Sequence, residues 1–145
     1  VPVPEDVELT FPQDGGCFGC SPSNPDGLQM RFRRRGERVH ARHTLGNQFH
    51  GAPHTAHGGI VATMLDEVSC AAVVFVADRF VVTGELTVRY ERPCPTEMPL
   101  ELVAGITDRS HPKYWVVEAE IHAGGERVAR STGRFFLRDH MPTAP

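Results

Sequence analysis

Apolar residues recur along this chain with two different periods, and the change of period marks out the architecture. Between Ile60 and Ala77 they fall at three- and four-residue steps: Ile60, Val61, Met64, Leu65, Val68, Ala71, Ala72 and Phe75. That is the repeat of one helix face. Val73, Val74 and Val76 make the far end apolar nearly all round, as in a helix wrapped by other structure. On both sides the period is two. Leu28, Met30 and Phe32 alternate with Gln29, Arg31 and Arg33, which predicts a half-exposed strand. Val39, Ala41, His43 and Leu45 alternate again after a turn at Gly36-Glu37, completing a hairpin. Residues 46–56 read as a loop rich in Gly, His and Pro.

After Asp78-Arg79, Val82, Gly84, Leu86, Val88 and Tyr90 form one strand face, opposed by Thr83, Glu85, Thr87, Arg89 and Glu91. Three further strands cover Leu100 to Ile106, Trp115 to Ile121 and Val128 to Leu137, with a Gly124-Gly125 turn joining the last two. Two strands, one long buried helix and four strands predict an α+β fold, a curved antiparallel sheet wrapped around one central helix. Residues 1–25, rich in Pro and Gly, read as a loop-rich lead-in, 26–140 as a single domain and 141–145 as a tail. Open sheet edges predict pairing with a second copy, as a homodimer or homotetramer.

The formal net charge of −3 over 145 residues argues against nucleic acid as partner, because phosphate-backbone binding needs a basic surface. The 60–77 run has roughly the length of a membrane span, but it carries Asp66, Glu67 and Ser69 and lacks basic flanks. A core helix is therefore expected, and no membrane. No secretory signal is read in Val1–Phe11, so the expected compartment is the cytoplasm. Four cysteines make no disulfide framework for a chain this long. Cys17 and Cys20 form a lone CxxC; a structural zinc site normally takes four ligands and no second pair exists, so no metal is expected.

The chemistry concentrates at His57-Gly58-Gly59 and at Asp66. Glycine amides at a helix start have no intrahelical partner and sit at the positive end of the dipole, a ready oxyanion site. Asp is disfavoured in a helix interior, and burying it is costly unless it is used or paired. Together the two features suggest acyl-ester or thioester chemistry. Glu67 competes for the role, but adjacent helix positions point about 100° apart, so one acid alone faces the cleft. Asp66 is the expected one.

Phe49-His50-Gly51-Ala52-Pro53, then His57-Gly58-Gly59-Ile60-Val61-Ala62, then Leu65-Asp66-Glu67 resemble the central segment of hotdog-fold acyl-CoA thioesterases of the phenylacetate-degradation type. Cys17-Phe18-Gly19-Cys20 through Pro25-Asp26-Gly27-Leu28, and Leu86-Thr87-Val88-Arg89-Tyr90 ending in Arg92-Pro93, extend the likeness over most of the chain. The resemblance implies a hotdog fold and hydrolysis of a coenzyme A thioester to free acid and CoA. It implies no cofactor, coenzyme A being part of the substrate. By the same likeness Asp66 acts as general base or nucleophile, the Gly58 N–H bonds the thioester oxygen, and Thr83 steadies the attacking water across a subunit interface. Substrate contacts are expected from His57, Gly59, His50, His54, Glu67, Arg89 and Arg92, and from Gly84, where pantetheine would pass close to the backbone. Arg109, His111 and Lys113 are further candidates for the coenzyme phosphates. One departure is that near relatives often carry Gly where His54 stands, and more distant ones hold the water with Asn or Gln near Gly51. The polar residues on offer here are Asn47, Gln48, His50 and His54. A hotdog enoyl-thioester hydratase or dehydratase and a non-catalytic acyl-CoA binder are the alternatives. The acyl group and the choice between dimer and tetramer stay open.

Overall fold

The computed structural model describes residues 8, 9, 11 and 15–145; the rest of the expected lead-in (1–7, 10 and 12–14) lies outside the described residues. Seven strands form one antiparallel sheet: β1 (Glu8–Leu9), β2 (Phe32–Arg35), β3 (Arg38–Thr44), β4 (Phe80–Tyr90), β5 (Pro99–Asp108), β6 (Tyr114–Ala123) and β7 (Glu126–Arg138). One long helix, α1 (Gly58–Ala77), packs against it. The spatial order is β1-β2-β3-β5-β6-β7-β4, so β1 and β4 are the edges. This is the α+β arrangement that the two periods predict.

The helical repeat delivers what it promises. Met64, Leu65, Val68, Ala71, Ala72 and Val73 are wholly buried and share one core with Leu100, Leu102, Val117, Ile121 and Phe135 from the sheet. The helix ends with Asp78 in the left-handed conformation, φ 55°, and the Arg34 guanidinium donates to the Phe75 carbonyl near that end, at 2.9 Å.

Within the loop-rich lead-in, Glu8–Leu9 pairs with β2. Two sequence expectations need correction. The strand expected from Leu28 starts only at Phe32. Leu28 and Met30 are buried as the alternation requires, but Gln29 has φ 54°, which is incompatible with a strand. Their amides instead bond the Phe18 and Gly19 carbonyls, at 2.7 and 2.9 Å.

The second correction shapes the site. β4 does not keep one parity along its length: its register against β7 slips between Thr83 and Glu85, leaving Gly84 as the extra residue of a bulge. Before the bulge Thr83 pairs with the buried Phe135; after it Val88 and Tyr90 pair with the buried Ser131 and Ala129. The inward face is therefore Val81 and Thr83, then Leu86, Val88 and Tyr90. Thr83, expected on the outer face, is turned toward the helix. Gly84 is required for packing: a Cβ there would lie only 2.3 Å from the Phe136 ring.

Candidate active site

From the N-cap His57 through Ile60, four amides have no i−4 helical partner, and three of them are satisfied. His57 N–H donates to the Phe49 carbonyl and Ile60 N–H to the His57 carbonyl, both at 2.9 Å. Gly59 N–H donates to Nδ1 of the N-cap residue His57 at 2.9 Å. Gly58 N–H makes no hydrogen bond among the described residues, and the residue is exposed. A Cβ at Gly58 would meet the Tyr90 hydroxyl at 3.6 Å, an ordinary contact, so packing does not demand a glycine there. The Tyr90 hydroxyl donates to the Gly58 carbonyl at 2.7 Å and anchors the helix start to β4. Sequence reasoning missed Tyr90; its only signal was its place at the end of the inward face of β4.

Two turns further on, Asp66 is half-buried and accepts a 2.6 Å hydrogen bond from the Thr83 hydroxyl of the same chain. Burial pushes the Asp66 carboxyl above its usual range, and the Thr83 hydrogen bond works against that rise. The Cys70 thiol lies 3.8 Å from the Thr83 oxygen, and burial holds it protonated. Thr83 is thus fastened to the acid of its own protomer. At 1.5 Å rise per residue, Gly58 and Asp66 stand about 12 Å apart along one helix. That rise is several times the length of one carbonyl group.

Several expected substrate contacts are committed elsewhere. Glu67 is turned away from Asp66 toward the Cys17–Cys20 loop, with the Cys17 thiol 3.4 Å from its carboxylate. Burial raises its pKa. The Gly59 amide and His57 Nδ1 are taken by each other. At Gly84 the Phe136 ring fills the space proposed for pantetheine. Arg92 donates to the Arg127 carbonyl at 2.8 Å and pairs with Glu126 at 3.4 Å. Arg109 stacks on Trp115 and pairs with Glu37. His111 stacks on Tyr114, 4.0 Å between ring centroids, and its Nδ1 accepts from the Lys113 amide. Arg89 lies exposed on the outer face, across from Arg130.

His50 and His54 are exposed in the loop before the helix. His54 has φ 57°, the left-handed region that glycine adopts most cheaply. Asn47 is held by the Thr96 hydroxyl at 2.7 Å. A cavity of about 350 Å³ opens beside the helix start between Thr55, Val61, Tyr90, Arg92 and Cys94.

The model of the thioesterase superfamily matches residues 54–130, a span that includes Gly58, Asp66, Thr83 and Tyr90. Among solved structures, the BH2602 protein from Bacillus halodurans, crystallised with CoA, is 31% identical with TM-score 0.61, over 68% of this chain and 66% of its own. The thioesterase superfamily protein RHA08564 is 24% identical with TM-score 0.74, over 81% of this chain. A phenylacetic acid degradation-related protein from Ralstonia eutropha JMP134 is 20% identical with TM-score 0.70, over 81% of this chain and 92% of its own. The last two likenesses speak for the fold alone. The chain spans 58% of the length of RHA08564. A search of curated proteins finds no match.

Proposed function

Since the chain belongs to the thioesterase superfamily, with the hotdog fold of its structural relatives, we propose that it hydrolyses an acyl-CoA thioester to free acid and CoA. The observation that carries this reading is the Thr83–Asp66 pair at 2.6 Å: a half-buried carboxylate, aimed by a bulged strand, on a helix whose first turn keeps one amide free. The CoA found with the Bacillus halodurans relative supports coenzyme A as the carrier.

The separation of about 12 Å along the helix supports a site composed from two copies. Gly58 of one protomer faces Asp66 and Thr83 of the other, which reverses the expectation that Thr83 comes from across the interface. The open edge of β4 is the natural pairing surface, since among the described residues its outer backbone groups have no partner strand in the sheet order. The Gly58 N–H donates to the thioester oxygen as it becomes an oxyanion. Asp66 takes a proton from water as the water oxygen bonds the carbonyl carbon. The tetrahedral intermediate then expels the CoA sulfur, which receives that proton. In the covalent variant the Asp66 oxygen itself attacks and expels the CoA thiolate, and water later cleaves the mixed anhydride, releasing the acid, restoring the carboxylate and supplying the proton that the thiolate takes up. The Thr83 hydroxyl orients the carboxylate in both.

The test is a thiol-release screen over aromatic, short and long acyl-CoAs with wild-type protein and Asp66→Asn. Hydrolysis of at least one class, lost in a folded Asp66→Asn, is the expected result. Full hydrolysis by that variant would overturn the mechanism. Loss of an enoyl double bond without free thiol would favour the hydratase, and saturable binding without turnover the non-catalytic binder.

A further inference from the structure

About 100° round the helix from Asp66, Glu67 belongs to a second cluster that the proposed hydrolysis does not use. Cys17 Sγ, Cys20 Sγ and a Glu67 carboxylate oxygen all lie within 4.8 Å of one another, and all three residues are partly buried. We propose that these three side chains bind one zinc-class divalent cation, which fastens the Cys17–Cys20 loop to the central helix. The sequence expectation of no metal rested on the lack of a second cysteine pair. The third donor instead comes from the helix, brought in by the fold.

Three observations support the site. First, the donor spacing fits. Zn–S of about 2.3 Å and Zn–O of about 2.1 Å at a tetrahedral angle set an S···O separation of about 3.6 Å, and Cys17 Sγ lies 3.4 Å from Glu67 Oε1. Second, the loop is already shaped. Ser21 N–H closes a turn on the Cys17 carbonyl at 3.0 Å, and the Phe18 and Gly19 carbonyls are pinned by the Leu28 and Met30 amides. Third, Gly19 leaves room for the carboxylate: a Cβ there would fall 2.5 Å from Glu67 Cδ and Oε2. Among the described residues no Lys, Arg or His forms an ion pair with Glu67.

Two thiolates and one carboxylate suit a borderline-soft ion such as zinc better than magnesium or calcium. Binding releases the two thiol protons to solvent, and a water completes the tetrahedron. The site needs neither Asp66 nor Gly58, so it stands or falls apart from the hydrolase reading.

The full chain, stripped with a chelator under a non-thiol reductant, is titrated with zinc alone and with cobalt(II) alone. The expected result is one equivalent bound per chain, thiolate-to-cobalt charge-transfer absorption, and a Tm that rises with zinc and falls again with chelator. Cys17→Ser and Cys20→Ser each weaken uptake beyond the roughly 10–100-fold that loss of an outer partner costs at metal sites. If the variants fail to fold, the cobalt spectrum of the wild-type chain decides, and absence of the charge-transfer band overturns the site. Metal uptake unchanged in the folded variants overturns it too. So does a Cys17–Cys20 disulfide whose reduced form takes up no zinc.

Discussion

Replacing Gly58 by proline removes one amide hydrogen from the proposed site and leaves the helix intact. Gly58 is the first residue of α1, the position where proline is favoured because its missing N–H would have no helical partner. His57 before it has φ −57° and ψ 137°, the extended conformation that a residue preceding proline prefers. No hydrogen bond of the described residues is lost, since the Gly58 amide makes none. The folded state should therefore hold, with Tm equal to or above the wild type, because fixing φ at a compatible position stabilises by about 0.4–1 kcal/mol. Loss of an oxyanion donor costs about 10²–10³-fold in kcat, or about 2.7–4 kcal/mol. Gly58→Ala is the control: it keeps the amide and places its methyl at an ordinary 3.6 Å from Tyr90, so kcat should stay near the wild-type value. Steady-state hydrolysis of the best acyl-CoA from the screen, beside thermal unfolding, reads both. Wild-type kcat in a folded Gly58→Pro would refute the assignment of this amide to the thioester oxygen.

Two further outcomes follow from the geometry. Inactive Asp66→Asn and inactive Gly58→Pro chains, mixed and reassembled, should recover roughly a quarter of wild-type activity, because half the dimers carry one site with both native groups; no recovery on exchange would place both groups in one chain. Gly84→Ala forces its methyl against the Phe136 ring, 2.3 Å away as the structure stands. Denaturant unfolding should show a loss of about 1–3 kcal/mol, and unchanged stability would mean that the bulge yields freely.

Where the sequence and structure agree, the signal was a long, uninterrupted period. The helix and the strands over 100–137 could be read because each buries one face of many residues. Asp66 stood out because an acid amid Met64, Leu65 and Val68 needs a reason to be there. The misreadings come from single residues acting out of step. Gly84 looks like any member of its strand face, yet as a bulge it reverses the facing of everything before it, so Thr83 was put on the wrong side. Gln29 interrupts a flawless alternation through its backbone angle alone. The placing of Glu67 against Cys17, and of Arg92 on Glu126, joins residues far apart in the chain, and local pattern carries no trace of such meetings. His57 was visible as part of a motif, but whether its ring faced substrate or its own helix depended on one rotamer.

β4 grips the helix at both chemically interesting places, through Thr83 on the acid and through Tyr90 on the carbonyl of Gly58. It is also the border strand, with one flank unclaimed among the described residues. A molecule that pairs along that flank would lie on the strand that holds both anchor points, so in the proposed enzyme assembly and turnover would share one strand.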